Sequence, residues 1–217
     1  MGAPLGPETE RVRRIWDKVA PRYDDGITFV ERMLFSGDRE WVCSKAVGDV
    51  LEVGVGTGRN LPYYPRGVRL TGIELSGEML EIARRRAQEL AWDVDLRLGN
   101  AQALDFPDDS FDGVVCTLTL CSVPDDRMAI REMKRVLRPG GRFIAFEHVA
   151  SPKRAIRIVQ RALNPITVRF QADYLTREPV IHLRAEGFLF EQLERRKLGI
   201  VERVLARKPE PPGYPQA

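Results

Sequence analysis

The chain has 217 residues, 43% apolar, 30% charged and 8% aromatic, with a formal net charge of +3. That balance excludes a disordered or collagen-like chain and leaves enough apolar material for one domain with a real core. No run of apolar residues is long enough for a membrane span, the charged start does not read as a signal peptide, and Cys43, Cys116 and Cys121 follow no metal spacing, so a reduced, cytoplasmic chain without bound metal is the expectation.

Residues 1–8 and 208–217 are rich in Pro and Gly and are expected to be loose ends, the latter a flexible tail. Residues 1–48 read as a helical cap over the active site, with helices over Thr9–Val19 and Trp41–Ala46. Residues 49–207 then alternate in period. Asp49–Val53 is a buried strand ending in glycines, and Val68–Ile73 is a second. Gly77–Leu90 puts Met79, Ile82, Ala83, Ala87 and Leu90 on one side of a helix. Val94–Leu98 and Phe111–Thr117 are strands, and Asp125–Leu137 carries Met128, Ile130, Met133, Val136 and Leu137 as a helical stripe. Residues 138–141 (RPGG) should stop that helix and turn the chain into a strand over Arg142–Phe146. A last helix runs from Thr176 as N-cap to Glu186. Phe188–Arg195 and Ile200–Arg207 are strands joined too tightly to be parallel. The fold class that follows is α/β: a Rossmann-like, doubly wound sheet, mostly parallel, closed by an antiparallel C-terminal hairpin. Residues 151–175 are extra to it and belong on the substrate side, at the carboxyl ends of the strands.

Charge is uneven. Residues 1–150 hold 21 basic and 24 acidic side chains, and residues 151–217 hold 13 and 7. Between Ser151 and Gln171 lie Lys153, Arg154, Arg157, Arg161 and Arg169 and no acid. A solvated helix face and a peripheral contact with an anionic membrane through 151–171 are both open readings.

The sharpest motif is EVGVGTG at 52–58, directly after the first strand, with Glu74 ending the second. Its G-x-G-x-G spacing differs from the G-x-G-x-x-G of dinucleotide sites, and the acid ahead of it suits a cationic cofactor tail. With GIELSGEML (72–80), GNAQALDFPDDSFDGVVC (99–116) and EMKRVLRPGGRF (132–143), the chain resembles class I S-adenosylmethionine-dependent methyltransferases. The resemblance implies S-adenosylmethionine as cofactor, S-adenosylhomocysteine as product and no metal. It implies that Gly54 and Gly56 line the methionine and ribose part, with Gly58 also counted among the cofactor-binding residues, and that Glu52 reaches the ammonium group through water. Glu74 would hold the ribose, Leu75 and Met79 the adenine face, and Asn100 and Ala101 the adenine edge, and Thr117 is a further cofactor-binding candidate. The family often has Asp where Asn100 stands, and Asn adds a donor and loses a charge.

More specific likenesses point three ways. WDKVAPRYD (16–24) resembles quinone C-methyltransferases. VCTLTLCSVPD (115–125), RVLRPGG (135–141) and EHVAS (147–151) resemble thiol S-methyltransferases. VLEVGVGTGRNLPYYP (50–65) and the basic stretch resemble phosphatidylethanolamine N-methyltransferases. A small-molecule or lipid-like acceptor is expected, first a thiol, which ionises readily enough to need little help from a base. Tyr23 and His148 are the candidate catalytic residues, and Asp173 and Tyr174 the candidate substrate contacts. Packing and structural hydrogen bonds are the competing readings for each. A nucleic-acid partner is not expected, for no motif for a flipped base is present.

Overall fold

A computed structural model describes residues 5–211. The strands are β1 Asp49–Val53, β2 Arg69–Glu74, β3 Asp95–Leu98, β4 Phe111–Thr117, β5 Leu137–His148, β6 Leu189–Arg196 and β7 Val201–Arg207. They form one seven-stranded sheet in the order β3-β2-β1-β4-β5-β7-β6. β1 pairs in parallel with both β2 and β4, whereas β7 pairs antiparallel with β5 and β6. The expected parallel sheet with an antiparallel terminal hairpin is what forms.

Helices α1 Pro7–Leu34, α2 Asp38–Cys43, α3 Gly77–Glu89, α4 Asp126–Val136, α5 Arg154–Gln171 and α6 Pro179–Ala185 surround it. Adjacent residues of a strand point to opposite faces, so each inner strand feeds two cores. Leu51, Val53, Val114 and Phe143 meet Ile130 and Met133 of α4 and Leu183 of α6. Val50, Val115, Ile144 and Phe146 meet Val42 of α2 and Leu80 and Ala83 of α3 on the other face. Chain order reverses between β1 and β4, and a crevice opens beyond their carboxyl ends.

Several boundaries differ from the sequence reading. The first helix is 28 residues long and continues through Pro21. An internal proline removes one helix hydrogen bond, and here ion pairs from Asp24 and Glu31 to the body hold the helix together beyond it. Pro7 and Glu8, expected in a loose end, open this helix. The second helix lies over Asp38–Cys43 rather than Trp41–Ala46. The last begins at Pro179 rather than after Thr176, because the residue ahead of a proline is pushed out of the helical region and Glu178 has φ −136°, ψ 71°. Residues 138–141 are part of β5, with a register shift opposite Phe111 and Gly113 absorbing the irregularity. Leu90 and Met128 are exposed rather than in the core. Lys208, expected in the tail, extends the β5–β7 pairing through its backbone bonds with Gly140 and Gly141. The rest of the expected loose ends, residues 1–4 and 212–217, lies outside the described residues. Among the described residues no helix is long and apolar enough to cross a membrane.

Candidate active site

The crevice encloses about 820 Å³, counting its open mouth. Its floor is the turn after β1. Gly54 has φ 74°, and a Cβ there would lie 2.4 Å from Thr119 Oγ1, so only glycine lets the chain after β4 close against the loop. Gly58, at φ 78°, brings the same turn against Ala83 of α3. Glu74 at the end of β2 accepts from the backbone N–H of Gly56 (2.9 Å) with one oxygen and from those of Leu75 (2.8 Å) and Ser76 (2.9 Å) with the other. Burial pushes its carboxyl above the usual range, and these three donors pull the other way.

Glu52 is placed differently from its expected role. It is 1% exposed and does not wall the crevice. Asn60 Nδ2 donates to one of its oxygens at 2.7 Å and the Tyr64 hydroxyl to the other at 2.9 Å. Burial pushes its pKa up to about 7. Asn60 also donates to Thr117 Oγ1 (2.9 Å) and accepts from Arg39 (2.8 Å), so it couples the β1 strand to the crevice wall.

α1 forms the roof. Thr9, Val12, Trp16 and Tyr23 face the crevice, the last two packed edge to face at 5.8 Å between ring centres. The helix is tied to the rim along its length. Ser76 Oγ donates to Asp17 (2.6 Å), Thr57 Oγ1 and Arg86 donate to Asp24 (2.7 and 2.5 Å), and Arg39 and Arg59 donate to Glu31 (2.8 and 2.7 Å). Burial raises the Asp24 and Glu31 carboxyls, but the Thr57 hydroxyl with Arg86 and Arg59 holds Asp24, and Arg39 with Arg59 holds Glu31, below the ordinary value. Burial pushes the Tyr23 phenol up to about 12, so it is a neutral hydrogen-bonding group at physiological pH.

Residues 51–145 match the methyltransferase domain family. Phosphatidylethanolamine N-methyltransferase of Cereibacter sphaeroides is 43% identical over 118 residues, 54% of this chain and 58% of that one. The biosynthetic ubiquinone/menaquinone C-methyltransferase UbiE of Geotalea daltonii is 34% identical over 157 residues, 66% of this chain and 65% of that one. Thiol S-methyltransferase TMT1B of Homo sapiens is 31% identical over 182 residues, 82% of this chain and 75% of that one. The chain belongs to the S-adenosylmethionine-dependent methyltransferase family. The match spans less than two thirds of the first two relatives' own length. The solved structure of the cyclase SpnF matches with a TM-score of 0.76 at 20% identity, over 97% of this chain and 99% of that one. That likeness shows the fold alone, and a shared fold does not fix the reaction.

The crevice of this methyltransferase fits an S-adenosyl nucleoside. A Cβ built on Gly56 would meet nothing within 4 Å, so open space lies over that backbone beside the Glu74 carboxylate. Leu75, Met79, Ala101 and Val123 supply apolar walls for a base. Of the residues proposed for the cofactor, Gly54, Gly56, Glu74, Leu75, Met79, Asn100, Ala101 and Thr117 line this one space, and Glu52 and Gly58 stand behind it. The Asn100 side-chain oxygen accepts from the Gln102 backbone N–H at 3.0 Å, which directs the loop.

Tyr23 is on the wall, but His148, Asp173 and Tyr174 are not. They gather next to it. His148 Nε2 bonds Asp173 Oδ1 at 2.7 Å, and the Tyr174 N–H donates to the Cys121 carbonyl (2.9 Å), in the segment whose Thr119, Ser122 and Val123 do line the crevice. Burial lowers the His148 pKa and the Asp173 bond raises it, with the net shift upward. Glu147 orients the same segment, accepting from the N–H groups of Thr119 (2.8 Å) and Leu120 (3.0 Å). Donor atoms of Cys121, His148 and Asp173 lie within 4.8 Å of one another, a grouping invisible in the sequence because they come from three separate segments. Sequence reasoning also missed Arg39, Arg59 and Thr119 on the wall. Arg59 follows the glycine turn directly and was findable from that position. Arg39 was not, since only the folding of α2 brings it there.

Proposed function

We propose that this methyltransferase binds S-adenosylmethionine in the crevice and methylates a small, lipophilic thiol. The likeness to the thiol S-methyltransferase, which runs over 82% of this chain, carries this reading. Arg39 and Arg59 on the crevice wall are neutralised by Glu31 and Asp24, so the wall adds no strong charge of its own, and a thiol ionises readily enough to react there without a strong base.

Bound there, S-adenosylmethionine supplies an electrophilic methyl group on a sulfonium. Glu74 would hold the ribose hydroxyls, and Leu75 and Met79 would pack on the base. α1 excludes water from the crevice through Trp16 and Tyr23 on its inner side, and the Tyr23 hydroxyl would orient the acceptor. His148, held by Asp173, takes up the thiol proton through the 119–122 segment or ordered water.

The test is to incubate the pure protein with methyl-labelled S-adenosylmethionine and a panel of alkyl thiols, phosphatidylethanolamine and demethylated quinones. Label in the methyl thioethers is expected. Label confined to the lipid would overturn the thiol reading in favour of amine methylation, which the 43% identity to a phosphatidylethanolamine N-methyltransferase supports. Label confined to the quinones would place the chain with the UbiE relative.

A further inference from the structure

We propose that the outer face of α5 is a docking surface for an anionic lipid bilayer. A helix on a protein body ordinarily turns its apolar side inward. α5 does the reverse. Its half-buried inner residues are largely polar. Gln160 accepts from the Ser151 N–H (2.8 Å) and donates to the carbonyls of Val149 (2.9 Å) and Leu175 (3.0 Å), Arg157 donates to the Ser151 carbonyl (2.7 Å), and Thr167 donates to that of Asp173 (2.7 Å). None of its eighteen residues is fully buried. Outward stand Ile158, Val159, Leu163, Ile166 and Phe170, each between 46% and 66% exposed. At 100° per residue these five fall on one continuous arc, with Arg154 and Arg161 along one edge and Arg169 next to Phe170.

An exposed run of five large apolar side chains is costly in water and marks an interaction surface. Charge selects the occupant. Of the basic residues of α5, only Arg157 has an ion-pair partner among the described residues, Glu178 at 3.2 Å. With Lys153 ahead of the helix and no acid between Ser151 and Gln171, the face is purely cationic. A second copy meeting this face about a twofold axis would bring like guanidinium groups together. An anionic bilayer matches both features: it takes the apolar arc into its headgroup–acyl boundary while the arginines reach the phosphates. The far end of α5 adjoins the roof of the crevice, since Arg11 of α1 donates to the Val168 carbonyl at 3.1 Å. Docking this way sets the crevice beside the lipid, within reach of an acceptor dissolved in it; that consequence rests on the methyl-transfer reading, but the docking itself does not.

The full chain is sedimented, without cofactor, with vesicles of phosphatidylcholine and phosphatidylglycerol in equal parts and with vesicles of phosphatidylcholine alone. Binding at least about tenfold stronger to the anionic vesicles is expected. Leu163→Glu/Ile166→Glu should lose about tenfold or more in binding, and Arg154→Glu/Arg161→Glu should lose the preference for anionic lipid. Circular dichroism checks the fold of each variant, and Ile158→Ser and Phe170→Ser as single changes replace the first pair should it misfold. Methyl transfer to a water-soluble thiol, read on the same samples, should stay unchanged and keeps failure of docking distinct from failure of the enzyme. Wild-type protein left in the supernatant of the anionic vesicles, or undiminished binding by the apolar variants, overturns the proposal. So does light scattering that shows a dimer dissolved by Leu163→Glu/Ile166→Glu, which would assign the face to a second copy.

Discussion

The two long helices outside the sheet, α1 and α5, use the same ingredients in opposite ways. Both are amphipathic, and both contain an internal proline, Pro21 and Pro165. α1 turns Val12 and Ala20 into the protein and pairs its acids with arginines of the body. α5 has no acid, turns Gln160 inward and leaves five of its large apolar residues to solvent. Apolar spacing announces that a helix has two sides. Which side faces the protein depends on what partners the neighbouring elements offer: unpaired backbone carbonyls beside α5, and cationic side chains beside α1.

That contrast can be broken most forcefully at Glu31. Glu31→Ala leaves the largely buried Arg39 without its one ion-pair partner among the described residues and Arg59 with Asp24 alone. We expect a loss of about 3 kcal/mol in stability, measured by denaturant unfolding, because removing one partner strands a poorly solvated charge. A loss below 1 kcal/mol would mean that α1 is not latched as described. Next comes the crevice that α1 covers. Glu74→Ala should weaken S-adenosylhomocysteine binding at least about tenfold in calorimetry, through lost charge-assisted hydrogen bonds. Unaltered affinity would move the cofactor out of this crevice.

The Glu52 network beneath α1 gives a pH signature of similar size. The Glu52 pKa rises from 4.5 to about 7 on folding. Between these values the native state binds the extra proton, so stability is greatest below pH 4.5 and falls as pH rises toward 7, by about 2–3 kcal/mol from this group. Glu52→Gln should flatten the pH dependence of the unfolding midpoint over that window while leaving other carboxylates to act. A smaller effect is expected at His148, whose pKa should lie above the ordinary imidazole value in an NMR titration and come down in Asp173→Asn. Its contribution to stability is present at low pH and fades as pH passes the raised value. Smallest of all, Ile158→Ser on the outer face of α5 should change stability by less than about 0.5 kcal/mol. A larger loss would show that this face is packed in solution.

The glycine-turn side of the crevice was legible because its determinants are local. Gly54 and Gly56 follow a strand, Glu74 ends the next strand, and Met79 lies on the first turn of a helix capped by Ser76, so a few residues of sequence place each of them. The side beneath α1 and α2 was not. Tyr23 reaches the crevice only because α1 persists beyond Pro21, and Arg39 only because α2 packs across the glycine turn. His148 and Asp173, expected as a catalytic residue and a substrate contact, lie off the crevice wall, and their mutual bond spans 25 residues and left no trace in spacing.

Sequence alone settled the alternation of strand and helix, the glycine turn after β1 and the antiparallel end of the sheet, since each depends on residue period, backbone freedom or connection length. Tertiary structure decided the rest: that Glu52 is locked beneath the crevice rather than facing it, that ion pairs latch α1 to the rim beyond Pro21, and that α5 presents its apolar side outward. These depend on which charges and unpaired backbone groups meet across long separations, where the cost of leaving a buried group unpartnered outweighs local preference.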